Sequence, residues 1–135
     1  SFAISKALQN SGAADSIAHA TINIGKGLGP VGVLAAVYII TTIFTEIITN
    51  NAAAAIVFPI ALSAATQLNV DPKPFFVAIA IAASASFATP IGYQTNLLVQ
   101  AIGNYKFRDY LKIGLPLNII VFIISILLIP LFWSF

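Results

Sequence analysis

An all-α integral membrane protein, a helical bundle holding a re-entrant hairpin and a discontinuous transmembrane helix, is the fold class the sequence predicts. Three observations predict it. Of 135 residues, 59% are hydrophobic and 7% charged, and the mean hydropathy is +0.99, whereas soluble domains carry about 25% charged residues. Apolar runs of membrane length follow one another with Gly/Pro breakers between them. The polar residues that do occur inside the apolar runs gather at two interruptions, Thr49-Asn50-Asn51 and the stretch from Thr89 to Asn96. Six basic and four acidic side chains could not solvate a soluble surface, while lipid asks for none across the hydrocarbon layer.

Composition also excludes. There is no cysteine, so neither a disulfide framework nor a thiolate metal site can form. The basic residues are scattered among apolar runs and build no face for nucleic acid. His19 stands alone, and no Ser-His-Asp set or paired carboxylate is present, so an enzyme is not expected and neither is a cofactor. The chain opens on Ser1 without the basic, apolar and small-residue order of a signal peptide, which predicts a start internal to a longer protein.

Residues 1–24 are weakly apolar with Lys6, Asp15 and His19, reading as an interfacial helix or the end of a span. The cluster from Gly25 to Pro30 breaks the chain and places Pro30 in the first turn of a new helix. Residues 30–66 read as a re-entrant hairpin. Its first arm carries a polar stripe of Tyr38, Thr42, Thr45 and Thr49 at spacings of four, three and four, with Thr41 and Glu46 beside it, which is one helical face. Its second arm, residues 52–65, would reach only ~20 Å against a hydrocarbon core of ~30 Å. Folding the two arms back with Thr49-Asn50-Asn51 as a tip at membrane depth satisfies both lengths. Residues 74–103 read as one span, an apolar helix from Pro74 to Ala88 broken in the middle of the span by Thr89-Pro90-Ile91-Gly92, because Pro90 removes an amide donor and Gly92 admits unusual dihedrals. Residues 104–113, with Lys106, Arg108 and Lys112, read as a basic cytoplasmic loop, and residues 115–135 as the last span, ending at an interfacial Trp133. That orientation puts the C-terminus outside and opens the hairpin from the outside.

Irregular backbone at membrane depth is tolerated only inside protein or along a cavity. Both interruptions consist of Thr, Asn, Gly and Pro, which offer neutral donors, acceptors and free carbonyls without burying a charge. Discontinuous helices that turn amide-rich ends toward anions and carbonyls toward sodium or protons recur in secondary transporters. The candidate substrate and ion ligands are therefore Thr49, Asn50, Asn51, Ala88, Thr89, Pro90, Gly92, Thr95 and Asn96. Thr45 and Glu46 are candidates for coupling. Each has a plainer alternative: a membrane Thr commonly bonds back to its own helix, Pro90 with Gly92 could be a simple kink, and Glu46 could anchor the hairpin to another helix.

Thr45-Glu46, Thr49-Asn50-Asn51-Ala52-Ala53-Ala54-Ala55 and Ala88-Thr89-Pro90-Ile91-Gly92-Tyr93-Gln94-Thr95-Asn96 resemble the second half of the divalent anion:sodium symporter family of the ion-transporter superfamily. The resemblance covers essentially the whole chain and leans to the sulfate-type, citrate-transporter-like branch. It implies a second inverted repeat of a transport domain whose N-terminal repeat lies elsewhere in the protein. It also implies a homodimer, an elevator-like motion, and sodium as the only metal, held through Thr49, Asn50 and Thr89. The family's Ser-Asn-Thr tip is Thr49-Asn50-Asn51 here, so the hydroxyl-amide pair is kept and the third position departs. The expected function is sodium-coupled symport of a small anion, sulfate or a dicarboxylate, in a bacterial inner or plasma membrane. A proton-coupled exchanger or efflux permease of the same superfamily, using Glu46, and a channel are the alternatives.

Overall fold

The computed structural model describes residues 2–135, and its described residues form helices and no strand. In chain order the helices are α1 (Phe2–Asn10), α2 (Ala13–Gly25), α3 (Gly29–Ile47), α4 (Asn50–Leu68), α5 (Lys73–Ser84), α6 (Gln94–Gly103) and α7 (Phe107–Phe132), with a 3-10 turn at Lys26–Leu28. Three of them, α3, α4 and α7, are long and apolar enough to cross a membrane.

The first 24 residues are two helices rather than one. Gly12, at φ 73°, takes a left-handed turn between them, a conformation glycine enters at little cost. One face of α2 buries Ala14, Ala18, Thr21 and Gly25, at spacings of four, three and four, against α3 and α4.

α3 begins at Gly29 with Pro30 in its first turn, where a missing amide donor is harmless. It ends where Ile48 turns extended, and α4 begins one residue after the Thr49 cap. The tip is thus residues 48–49, and Asn50 and Asn51 belong to the first turn of α4. The second arm is also longer than its apolar core suggested. α4 runs 19 residues, or ~28 Å, because Gln67 and Thr66 extend the helix and Asn69, in the left-handed region, closes it by donating to the carbonyls of Ala65 and Thr66. A short second arm therefore no longer argues for a re-entrant hairpin.

α3, α4 and α5 pack on one another around Tyr38, Leu34, Val37, Val57, Ile60 and Phe75, each 1% exposed or less. α5 stops at Ser84, four residues before Ala88, and residues 85–93 are not helical. α6 then begins at Gln94, so Gln94, Thr95 and Asn96 form its first turn.

The expected basic loop is largely helix. Only residues 104–106 are non-helical, because Asp109 accepts the Lys106 N–H at 2.8 Å and caps α7, which draws Arg108, Asp109 and Lys112 into its first turns. α7 continues for 26 residues through Pro116 and Pro130. It touches α3 and α5 and buries only Gly114, Ser125 and Ile129. From Ile113 onward its exposed surface is almost wholly apolar, as a lipid-facing helix requires.

Candidate binding site at the meeting of two helix breaks

The end of α3 and the start of α4 face the irregular segment 85–93. Thr45 and Glu46 sit in the last turn of α3, and Asn50 in the first turn of α4.

One set of bonds joins the tip to the break. Thr45 is fully buried, and its hydroxyl donates to the Ala83 carbonyl at 2.7 Å. The Asn50 amide lies against the same group, and its nitrogen has three acceptors in reach of its two hydrogens, Thr45 Oγ1 at 2.8 Å and the carbonyls of Ala83 and Gly92 at 3.1 Å each. That amide orientation is assigned from the hydrogen-bond pattern, because every neighbour on this side can accept. Ser86 Oγ donates back to the Thr45 carbonyl at 3.1 Å.

A second set centres on Glu46. Its Oε1 accepts the Ala88 N–H at 2.9 Å and the Asn118 side-chain amide at 2.8 Å, and its Oε2 accepts the Thr89 N–H at 2.7 Å. The Glu46 carbonyl accepts the Thr89 hydroxyl at 2.7 Å. Residues 88 and 89 thus give their amides to a side chain instead of an α-helical ladder, which is one reason α5 does not continue. A third set ties the break to α6 and α7: Asn96 Nδ2 donates to the carbonyls of Ser86 and Thr89 at 3.0 and 3.2 Å, and the Tyr110 hydroxyl donates to the Asn96 carbonyl at 2.8 Å.

Of the residues singled out from sequence, Thr45, Glu46, Asn50, Ala88, Thr89, Gly92 and Asn96 come together here, and Pro90 is buried among them in the break. Thr49 is exposed and caps α4, its hydroxyl accepting the Ala52 N–H at 3.4 Å; Asn51 and Thr95 are also exposed. The stripe on α3 divides. Thr41 and Thr42 bond back to the carbonyls of Val37 and Tyr38 at 2.8 and 3.0 Å, the plainer reading of a membrane threonine, and of the threonines within α3 Thr45 is the one bonded to another element. Four participants were not anticipated as site residues: Ser86, Tyr110, Asn118 and the Ala83 carbonyl. Asn118 was findable, since a lone amide inside the most apolar span needs a partner.

Gly92 is fixed by close approach. A Cβ there would run into the Ser86 hydroxyl and the Thr45 carbonyl, so Gly92→Ala must push the break away from α3. We expect that variant of the full-length protein to melt several degrees below wild type in detergent, the scale of an overpacked backbone contact.

Apolar helices with two breaks meeting at a shared cluster of amides, hydroxyls and carbonyls mark a multi-pass membrane protein, and breaks of this kind recur in secondary transporters. The whole chain, residues 1–135, matches the family model described as CitMHS, citrate transporter, and the chain belongs to that family. It is 46% identical over 125 residues to sodium/sulfate cotransporter 1 of Chlamydomonas reinhardtii, covering 92% of this chain and 14% of that protein. It is 38% identical over 129 residues to the uncharacterized transporter YfbS of Escherichia coli, covering 96% and 21%. With the sodium-dependent dicarboxylate transporter SdcS of Staphylococcus saprophyticus it shares 24% identity over 127 residues, covering 94% and 24%. These relatives match the divalent anion:sodium symporter resemblance. The chain spans between a seventh and a quarter of their lengths.

Proposed function

We propose that this chain is the second repeat of the transport domain of a sodium-coupled anion symporter, with sulfate as the favoured cargo and a dicarboxylate as the next candidate. The observation that carries the reading is Asn50, whose amide joins the start of α4 to carbonyls on both sides of the broken segment. Two helices, α4 and α6, restart beside this cluster, and a helix start offers unpaired N–H groups and a positive dipole end to an anion. Oxygens of Thr45, Asn50, Thr89 and the break's carbonyls are the neutral, hard donors a sodium ion takes. Sulfate is favoured because the relatives at 45–46% identity are named sodium/sulfate cotransporters, whereas the dicarboxylate transporter stands at 24%.

The rest of the reading follows from a partial site. The partner repeat would supply the site's opposite face, residues 30–66 would enter and leave on one side as a hairpin, and two copies of the full protein would form the transporting dimer. Lys106, Arg108 and Lys112 would mark the cytoplasmic side and leave the C-terminus outside.

The test is uptake of labelled sulfate and of succinate by the full-length protein in proteoliposomes, with and without an inward sodium gradient. Sulfate accumulation that requires the sodium gradient is the expected result. Uptake indifferent to sodium would overturn the reading, and accumulation of succinate alone would move the cargo to the dicarboxylates.

A further inference from the structure

We infer that Glu46 is a positioning residue: paired with Asn118, its carboxylate pins the broken segment to α3 and α7 and so aims the Ala88 carbonyl at the coupling ion. This rests on the sodium-coupled reading and assigns Glu46 a part in it.

Glu46 makes four hydrogen bonds that leave its own helix. Three come to the carboxylate, from the backbone N–H groups of Ala88 and Thr89 and from Asn118 Nδ2, and the fourth joins its carbonyl to the Thr89 hydroxyl. A peptide unit is planar and trans, so its N–H and C=O point in opposite directions. Fixing the Thr89 N–H on Glu46 therefore turns the Ala88 carbonyl away from the Glu46 carboxylate. Among the described residues no hydrogen bond reaches that carbonyl, so it remains free to serve as a ligand.

All three partners of the carboxylate are donors. They suit an acceptor-only group, since each brings an N–H to a carboxylate oxygen. That is the surrounding of a splint between α3, the break and α7. Asn118 completes it from α7, one helical turn after Gly114, where a Cβ would collide with the backbone of Phe87 and Ala88. Two consecutive turns of α7 thus meet the break and the side chain that holds it, Gly114 at Phe87 and Ala88 and Asn118 at Glu46.

The experiment exchanges the two groups in the full-length protein. Glu46→Gln loses one of the acceptor oxygens, and Asn118→Asp sets a second carboxylate against the first. Together they restore an amide–carboxylate pair with its ends reversed, the amide on α3 donating to the carboxylate on α7 and keeping one oxygen for the backbone N–H groups. In proteoliposomes each single variant is expected to raise the sodium concentration for half-maximal uptake by about tenfold, the scale of one lost charge-assisted hydrogen bond. The double variant is expected to return most of that shift, and Vmax to change less than the sodium dependence. An unchanged sodium dependence in the single variants, or a double variant no better than the worse single, would overturn the inference. If wild-type uptake ignores sodium, the proposed function fails first. The melting temperatures of the same four proteins in detergent then decide whether the pair exists: recovery in the double variant supports the splint, and additive loss refutes it.

Discussion

Replacing Asn50 by alanine is expected to lower sodium-driven anion uptake by about a hundredfold or more. The side chain lies between one hydroxyl and two backbone carbonyls, and removing it leaves the Gly92 carbonyl without its donor in a low-dielectric site, at about 1–3 kcal/mol for an unsatisfied group, and cuts the tie between α4 and the break. The Thr45 hydroxyl, already given to Ala83, cannot replace it. Asn50→Asp is the sharper variant, since it keeps the shape while exchanging the donor nitrogen for a second acceptor that faces the Ala83 and Gly92 carbonyls. We expect it to be as inactive as alanine, and the pair of variants separates donation from volume. The measurement is initial uptake in proteoliposomes at matched reconstitution, with size-exclusion profiles to show that both proteins insert and remain folded. Uptake within a few-fold of wild type for both variants would remove Asn50 from the site.

Where the sequence was legible, a composition or a dihedral demand stood behind each reading. The membrane class followed from the small number of charges, the start of α3 from Pro30, and the break from Pro90, because none of these depends on a distant contact; Gly92, marked for its dihedral freedom, has no positive φ and is required instead by its approach to Thr45 and Ser86. The boundaries were less legible because side chains from other elements set them. α5 ends at Ser84 although the apolar run continues to Ala88, since Glu46, 42 residues earlier, takes the amide of Ala88. α7 starts at Phe107 in the middle of a charged stretch, since Asp109 supplies a cap. The same rule sorts the candidate residues. Those whose groups could be satisfied locally, such as Thr42 on its own helix and Thr49 at its cap, stayed local. Thr45, Asn50 and Asn96 found partners across elements. Spacing alone could not separate the two groups, because Thr42, Thr45 and Thr49 lie on one stripe.

The contact between α7 and the break carries the second large effect, on stability before transport. Gly114 is one of the few buried residues of α7, and the backbone of Phe87 and Ala88 fills the place its Cβ would take. Neither partner can yield as a flexible side chain would, because Ala88 is held by Glu46 from one side and Phe87 is its chain neighbour. A larger residue must therefore move α7 as a body. That motion would carry Asn118, one turn along, out of reach of Glu46, so the overpacking strain of about 1–3 kcal/mol adds to the loss of a buried charge-assisted bond. We expect Gly114→Val in the full-length protein to melt several degrees below wild type in detergent and to lose uptake in proportion to the unfolded fraction. Gly103→Val serves as the control, since a Cβ there meets only the Tyr105 ring, which can rotate. If the two variants melt alike, Gly114 is not a packing point and α7 is not seated on the break. If only Gly114→Val falls, the last span belongs to the same rigid unit as the hairpin tip, and a movement of the site during transport has to carry α7 with it.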